Sequence, residues 1–249
     1  QVPAGATVTL SDTAEYRLDY GLRIGSNGHA RSHPALPAAN CPPDLTIRGG
    51  ARLFTDRTDK RAPDGTRDPR LWNGLPLLLV YLADGFRIEG VFLDHACRDG
   101  ARYDPSREDW ACLRLVGAND VAVDLVRMAG APGDAIALDA VTVGQAGAST
   151  VYDCDRVAIG ACDIRTVGRH ALTLQGAHDV TLAGTTLTDI ARYVVDAELQ
   201  ARRDASRVTI AGNRGRPCGL GFVQVRAPAS SEADDWTVAG NDFEAGHLR

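Results

Sequence analysis

Apolar residues alternate with small or polar ones in a short motif that recurs along the chain. Its copies are Leu45-Thr46-Ile47-Arg48-Gly49, Phe86-Arg87-Ile88-Glu89-Gly90, Val121-Ala122-Val123, Val157-Ala158-Ile159-Gly160, Val180-Thr181-Leu182-Ala183-Gly184, Val208-Thr209-Ile210-Ala211-Gly212 and Trp236-Thr237-Val238-Ala239-Gly240. A period of two belongs to a strand with one buried face, not to a helix. Copies recur at intervals from 23 residues (157 to 180) to 41 (45 to 86), and repetition on that scale marks a coil built by stacking. The longer intervals carry polar, Gly- and Pro-containing insertions at 55–74, 97–109, 140–155, 199–206 and 227–235, which read as loops.

A second strand-like segment lies between successive copies: 77–81, 112–115, 135–138, 171–174, 194–197 and 222–225. No amphipathic helix of useful length separates these strands. Parallel strands normally need helical crossovers, and without them the economical solution is a coil that returns to its own sheet. The fold class expected is therefore all-β, a single-stranded right-handed parallel β-helix. A β-sandwich is the alternative, but its hairpins would leave Asn-Gly or Asp-Gly turns that are scarce here. Inward ladders are predicted at Val121, Val123, Val157, Ile159, Val180, Leu182, Val208 and Ile210, and at Ile136, Leu138, Leu172, Leu174, Val195, Val223 and Val225. Residues 1–40 fit the repeat poorly and are expected to form an irregular N-terminal coil and loop, with 41–249 as one continuous β-helix domain. An open end would expose strand edges, so further chain or a partner subunit is expected to cover it.

Aligning the second strands on their inward pairs puts two outward ladders on one sheet. One runs Arg114, Ala137, Thr173, Asp196, Gln224; the other runs Val116, Asp139, Gln175, Glu198, Arg226. Asp134, His170 and Tyr193 stand just ahead of their strands, with Arg169 and Arg192 beside the last two. Such a wall suits a polar chain lying along it. Asp196 and Glu198 are two apart on one strand, about 6.6–6.8 Å along the backbone. Inverting glycosidases hold an acid and a base roughly 6.5–9.5 Å apart, so hydrolysis is one reading. Elimination or epimerisation of a uronic acid is another, with His170 or Tyr193 as base or acid, Arg169 or Arg226 neutralising the sugar carboxylate, and Asp196 orienting the imidazole. Calcium could replace an arginine, held by Asp134, Asp139, Asp196 and Glu198, although no calcium-loop spacing occurs and no cofactor is required. The plain alternative is a set of solvated carboxylates balanced by arginines.

Gly133-Asp134-Ala135-Ile136-Ala137-Leu138 and Gly168-Arg169-His170-Ala171-Leu172-Thr173-Leu174 resemble strands of the pectin-degrading polygalacturonases, and more broadly of the pectate-lyase-like β-helix superfamily. The resemblance implies a right-handed parallel β-helix, often secreted or mounted on a phage tail, that acts on or binds acidic polysaccharide in a groove along one sheet. Asp134 matches the first acid of the polygalacturonase pair and His170 its active-site histidine. Ala135 stands where the second acid would be, no Asn-Thr-Asp strand precedes it and no Arg-Ile-Lys follows, so that hydrolytic site is not carried over. The resemblance implies an extracellular or virion-surface location, and a homotrimer if the chain belongs to a tail. A non-catalytic glycan-binding or structural β-helix is the rival expectation.

Composition narrows the partners. The formal net charge of −5 disfavours nucleic acid, which needs a concentrated basic surface. Lys60 is the only lysine; arginine supplies the rest of the basic charge, as a planar fork suited to carboxylates. The longest apolar run, 75–83, is interrupted by Pro76 and too short to span a membrane. The six cysteines have no zinc spacing, leaving one or two disulfides or buried thiols as open alternatives. The chain starts at Gln1, as a processed secreted protein or an excised domain would. Asp94-His95 reads as the start of a turn, and Trp72, beside the polar loop 55–70, as a ring on which a sugar could stack. Neither Gly-x-Ser-x-Gly nor His-Glu-x-x-His occurs, so serine hydrolase and zinc peptidase readings have no motif to stand on.

Overall fold

The computed structural model of the chain describes residues 4–19, 21–25, 44–57, 76–97, 102–145, 148–200 and 203–245. Their strands form three parallel sheets of eight, eight and seven strands, with one two-stranded antiparallel hairpin. A single coil shows the path. Ala177–Ala183 lies in the first sheet, Thr186–Ile190 in the second and Tyr193–Glu198 in the third, after which Ala205–Ala211 returns to the first sheet beside Ala177–Ala183. Successive coils are therefore one strand spacing apart, about 4.8 Å. The architecture is a parallel β-helix, and the sandwich alternative is excluded by the parallel pairing.

The recurrent motif supplies the first sheet, and the second strand-like segments supply the third. Between them runs a sheet of short strands such as Arg127–Ala129 and Asp163–Val167. At the corner between the first two sheets one residue per coil turns the chain in the left-handed region: Gly90, Leu125, Ala161, Gly184, Gly212 and Gly240, with φ from 48° to 73°. Glycine reaches this region without a side-chain clash, which explains why the motif so often ends in it.

The core fills the space inside the three sheets, and thirteen of the fifteen predicted inward positions, all but Val223 and Val225, are buried. Val225 departs furthest. It is 45% exposed because its strand, Gly221–Arg226, has a neighbour on one edge only. Val223 is half-buried for the same reason. At the N-terminal end Thr7–Thr9, Glu15–Arg17 and Leu22–Gly25 each pair in register with the following coil, so the stack already runs through all three sheets within the first 40 residues. The insertion expected as a loop at 140–155 contains the hairpin Val141–Gln145 and Ala148–Tyr152. Cys97, Cys112, Cys154, Cys162 and Cys218 are free thiols, four of them buried, so the disulfide reading fails for these five. Cys41, Trp72 and most of the 55–70 loop lie outside the described residues.

Candidate functional site

The third sheet aligns the outward residues in the expected ladders. Arg114 pairs with Ala137, Ala137 with Thr173, Thr173 with Asp196 and Asp196 with Gln224; Asp139 pairs with Gln175 and Glu198 with Arg226. Outward positions on a solenoid normally meet water. Here Asp196 and His170 are 0% exposed, and Asp134, Asp139, Arg169 and Thr173 are also buried.

Side chains from adjacent coils close the wall. Arg169 Nη1 donates to Asp134 Oδ2 at 3.0 Å, and its other Nη forms a short ion pair with Glu198. Arg226 Nη2 donates to Asp196 Oδ2 at 2.7 Å and to Glu198. His170 Nε2 lies 3.0 Å from Asp196 Oδ2, while its Nδ1 accepts the Tyr193 amide proton at 3.2 Å. Burial pushes the Asp134 carboxyl up, against the pull of Arg169 and His170. Burial also acts upward on Asp196, but the His170 contact and the Arg226 guanidinium outweigh it and hold that carboxyl below its usual range.

Two sequence expectations change with this geometry. The facing oxygens of Asp196 and Glu198, with His170, lie within 4.8 Å of one another because one guanidinium bridges the acids. The Arg226 guanidinium takes up the place between the two acids that the inverting reading gives to a water. His170 also sits behind the wall, fully buried, with the Tyr193 amide on Nδ1 and Asp196 beside Nε2, so it cannot touch a polymer. It positions Tyr193, whose half-buried ring stacks on it at 5.8 Å and whose hydroxyl accepts from Gln224 Nε2 at 3.4 Å.

Each carboxylate named for calcium is already met by a guanidinium: Asp134 and Glu198 by Arg169, Asp139 by Arg114, Asp196 by Arg226. His170, Asp196 and Glu198 are close enough to share an ion. However, the ring accepts a proton at Nδ1, so a neutral imidazole carries its own on Nε2 and has no lone pair there to give.

Beside this cluster a cleft of about 290 Å³, measured with the solvent at its mouth, brings together Arg114, Asp134, Asp139, Arg169, Thr173 and Gln175. Asp196, Glu198, His170, Tyr193, Gln224 and Arg226 belong to the neighbouring end of the same wall. Glu108 and Asp109 also line the cleft, and the sequence reading missed both. They sit in the 97–109 insertion, where no period marks a residue as facing anything. The insertion presses close because the turns beneath it are glycine: a Cβ on Gly133 would lie 2.3 Å from the Glu108 carbonyl oxygen, and one on Gly168 would lie 2.9 Å from that of Arg102.

No family model matches the chain, and no curated protein matches it. Solved structures do. An endo-xylogalacturonan hydrolase from Aspergillus tubingensis is similar over 98% of this chain and 86% of its own, at 11% identity and a TM-score of 0.54. An alginate lyase from Paenibacillus matches over 95% and 93%, at 12% identity and TM-score 0.45. PfbA, a surface adhesin of Streptococcus pneumoniae, matches over 98% and 70%, at 11% identity and TM-score 0.45. No helix among the described residues is long and apolar enough to cross a membrane. The match runs over nearly the whole length of this chain, so it shares a parallel β-helix fold with the fungal protein.

Proposed function

We propose that the third-sheet wall binds an acidic polysaccharide and cleaves or epimerises it at a uronic acid, by removing the proton beside the sugar carboxylate. The observation that carries this reading is the buried charge cluster on an outward face, where a solenoid has no need to bury charge. Ionisable groups taken out of water cost several kcal/mol each unless paired, and their concentration beside a cleft is a physical mark of a candidate functional site. Arg226 is the group that can meet a substrate carboxylate: its side chain is 49% exposed and only one of its nitrogens is engaged by Asp196 and Glu198. Tyr193, held by the His170 ring, is a half-buried proton-transfer group on the same strand as Asp196 and Glu198. Asp196 fixes the imidazole from behind. Elimination and epimerisation suit these parts better than hydrolysis does, because the bridged acids leave no place for an attacking water. Polymers of this class are met outside the cell or by a virion, which is the location we assign, with a homotrimer if the chain serves a tail.

The test is incubation with a panel of uronic-acid polymers. Ultraviolet absorbance from an unsaturated product, lost by roughly 10²-fold or more in Tyr193→Phe with thermal unfolding unchanged, supports the proposal; inverted sugar units without chain cleavage support its epimerase form. New reducing ends without unsaturation return a hydrolase and overturn it. Measurable glycan affinity with no chemical change returns the rival, a non-catalytic β-helix of a phage tail or surface adhesin.

A further inference from the structure

On the first sheet, away from the third-sheet wall, stacking places a serine, a histidine and an aspartate together. Asp155, His178, Ser206 and Asp234 occupy equivalent positions in four successive coils. Ser206 Oγ lies 2.8 Å from His178 Nδ1, and His178 Nε2 lies 3.6 Å from Asp153 Oδ2. Arg207 Nη1 donates to the same Ser206 Oγ at 3.2 Å, while Nε and Nη2 of that guanidinium grip Asp179 at 2.7 and 2.8 Å.

Ser206 Oγ has two lone pairs and one proton, so it can accept from Arg207 and still donate to His178 Nδ1 in the tautomer that carries the ring proton on Nε2, towards Asp153. This is the order of a nucleophile, a base and an orienting acid, with the two ring nitrogens exchanged relative to the usual serine triad. Gly176 leaves room for Asp153, since a Cβ there would lie 2.6 Å from its Oδ1. Arg207, φ 55°, stands in the left-handed region immediately after the serine. Ser206 is buried whereas His178 and Asp153 are partly exposed. The half-exposed Arg207 covers the hydroxyl, so an entering group displaces a solvated side chain instead of packed core.

We infer that Ser206 is an activated nucleophile that accepts a small acyl group from a carboxylic ester, with His178 as its general base, Asp153 as a positioning residue and Arg207 as the cation beside the developing oxyanion. Ser206 Oγ attacks the acyl carbon as its proton passes to His178 Nδ1, and the carbonyl electron pair moves onto oxygen next to the Arg207 guanidinium. Collapse breaks the ester C–O bond, and the alcohol leaves with the proton from His178. Water then attacks the acyl-serine, again giving its proton to His178, and the acid departs as Ser206 regains that proton. The absence of a Gly-x-Ser-x-Gly motif does not bear on this arrangement, because such triads are defined by geometry and not by sequence order.

The experiment treats the whole protein with a fluorophosphonate probe, locates the adduct by mass spectrometry and follows the rate of labelling. The expected result is a single adduct on Ser206, absent in Ser206→Ala and slowed roughly 10²-fold or more in His178→Ala, with both variants keeping the wild-type unfolding temperature. Asp153→Asn shifts the pH profile of labelling, which a purely structural contact would not do, and Tyr193→Phe labels as the wild type does. No adduct on Ser206, or an adduct formed as fast in His178→Ala, overturns the inference and leaves the contacts as an ordinary polar ladder.

Discussion

His95 is a buried imidazole whose Nε2 lies 2.9 Å from the carbonyl oxygen of Ala111 and whose ring stacks on Trp110, itself fully buried. The sequence reading made Asp94-His95 the start of a turn, and Asp94 Oδ1 does accept the Ala96 amide proton there at 2.7 Å; the ring also pins the base of the insertion that carries Glu108 and Asp109. Burial lowers its pKa to about 4, against the smaller opposing effects of the Ala111 carbonyl and Asp94. The unfolded chain binds that proton near pH 6.5, so the contribution is complete above that pH and is lost as pH falls towards 4. At about 1.4 kcal/mol per pH unit this amounts to about 3 kcal/mol. Urea unfolding at pH 7.5 and pH 4 should show His95→Gln losing less stability between the two than the wild type, by that order; equal losses would remove the histidine from the account. The candidate site was legible in sequence as far as the side-chain period reaches. Period-two alternation placed Asp196, Glu198 and Arg226 on one face. It could not show that Arg169 and Arg226 bridge neighbouring coils over the carboxylates, because reach between coils depends on the register in which insertions of unequal length leave the stack.

Among the elements, the corner after the first sheet holds a feature that the motif contained without announcing it. Asn213 and Asn241 each follow the motif glycine by one residue, and their amides stack. Asn213 donates to the Leu182 carbonyl and to Asn241 Oδ1, both at 2.9 Å, and accepts the Thr185 amide proton at 2.9 Å; Asn241 donates to the Ile210 carbonyl at 2.8 Å. Replacing Asn213 by Ala strands the Thr185 N–H and the Leu182 carbonyl inside the corner. With about 1–3 kcal/mol per unsatisfied buried group, the denaturant midpoint should fall by the equivalent of about 3 kcal/mol, and a loss under 0.5 kcal/mol would mean the corner rearranges. The second sheet was harder to see in sequence than this ladder. Its three-residue strands Arg52–Phe54, Phe92–Asp94 and Arg127–Ala129 turn one large apolar residue inward, Leu53, Leu93 or Met128, and Asp163–Val167 and Thr186–Ile190 bury two that are three apart, so neither kind carries a period of two. The motif glycine was visible at the same corner, yet Leu125, 53% exposed, and Ala161 take that backbone too, so the glycine marks the turn without being essential in every coil.

For the molecule as a whole, stability is close to a sum over coils and their contacts with the coils on either side. The last strands of the three sheets, Gly221–Arg226, Ala233–Ala239 and Asp242–Ala245, each have one hydrogen-bonded neighbour, and their inward Val225 and Val238 are about half exposed. Amide hydrogen exchange should therefore be fastest there and slowest in central strands such as Leu172–Gln175 and Ala177–Ala183. Uniform protection along the axis would point to cooperative unfolding in place of fraying from this end. The fold was legible at this scale because a repeated local pattern and the lack of crossover helices left one topology. The function was less so, since the same framework supports cleavage, rearrangement or simple adhesion.

Among the described residues, two excursions from the stack flank the charged wall on opposite sides. Residues 102–111 approach it from the turns ahead of the third sheet, and the 141–152 hairpin departs just past the strand Ile136–Asp139. Neither supplies a rung to the main ladders, which pair past them in unbroken register. The banks of the groove can therefore diverge between descendants of this chain while its floor stays fixed, so a new sugar preference could arise by exchanging a loop or a hairpin, with no redesign of the spiral that displays them.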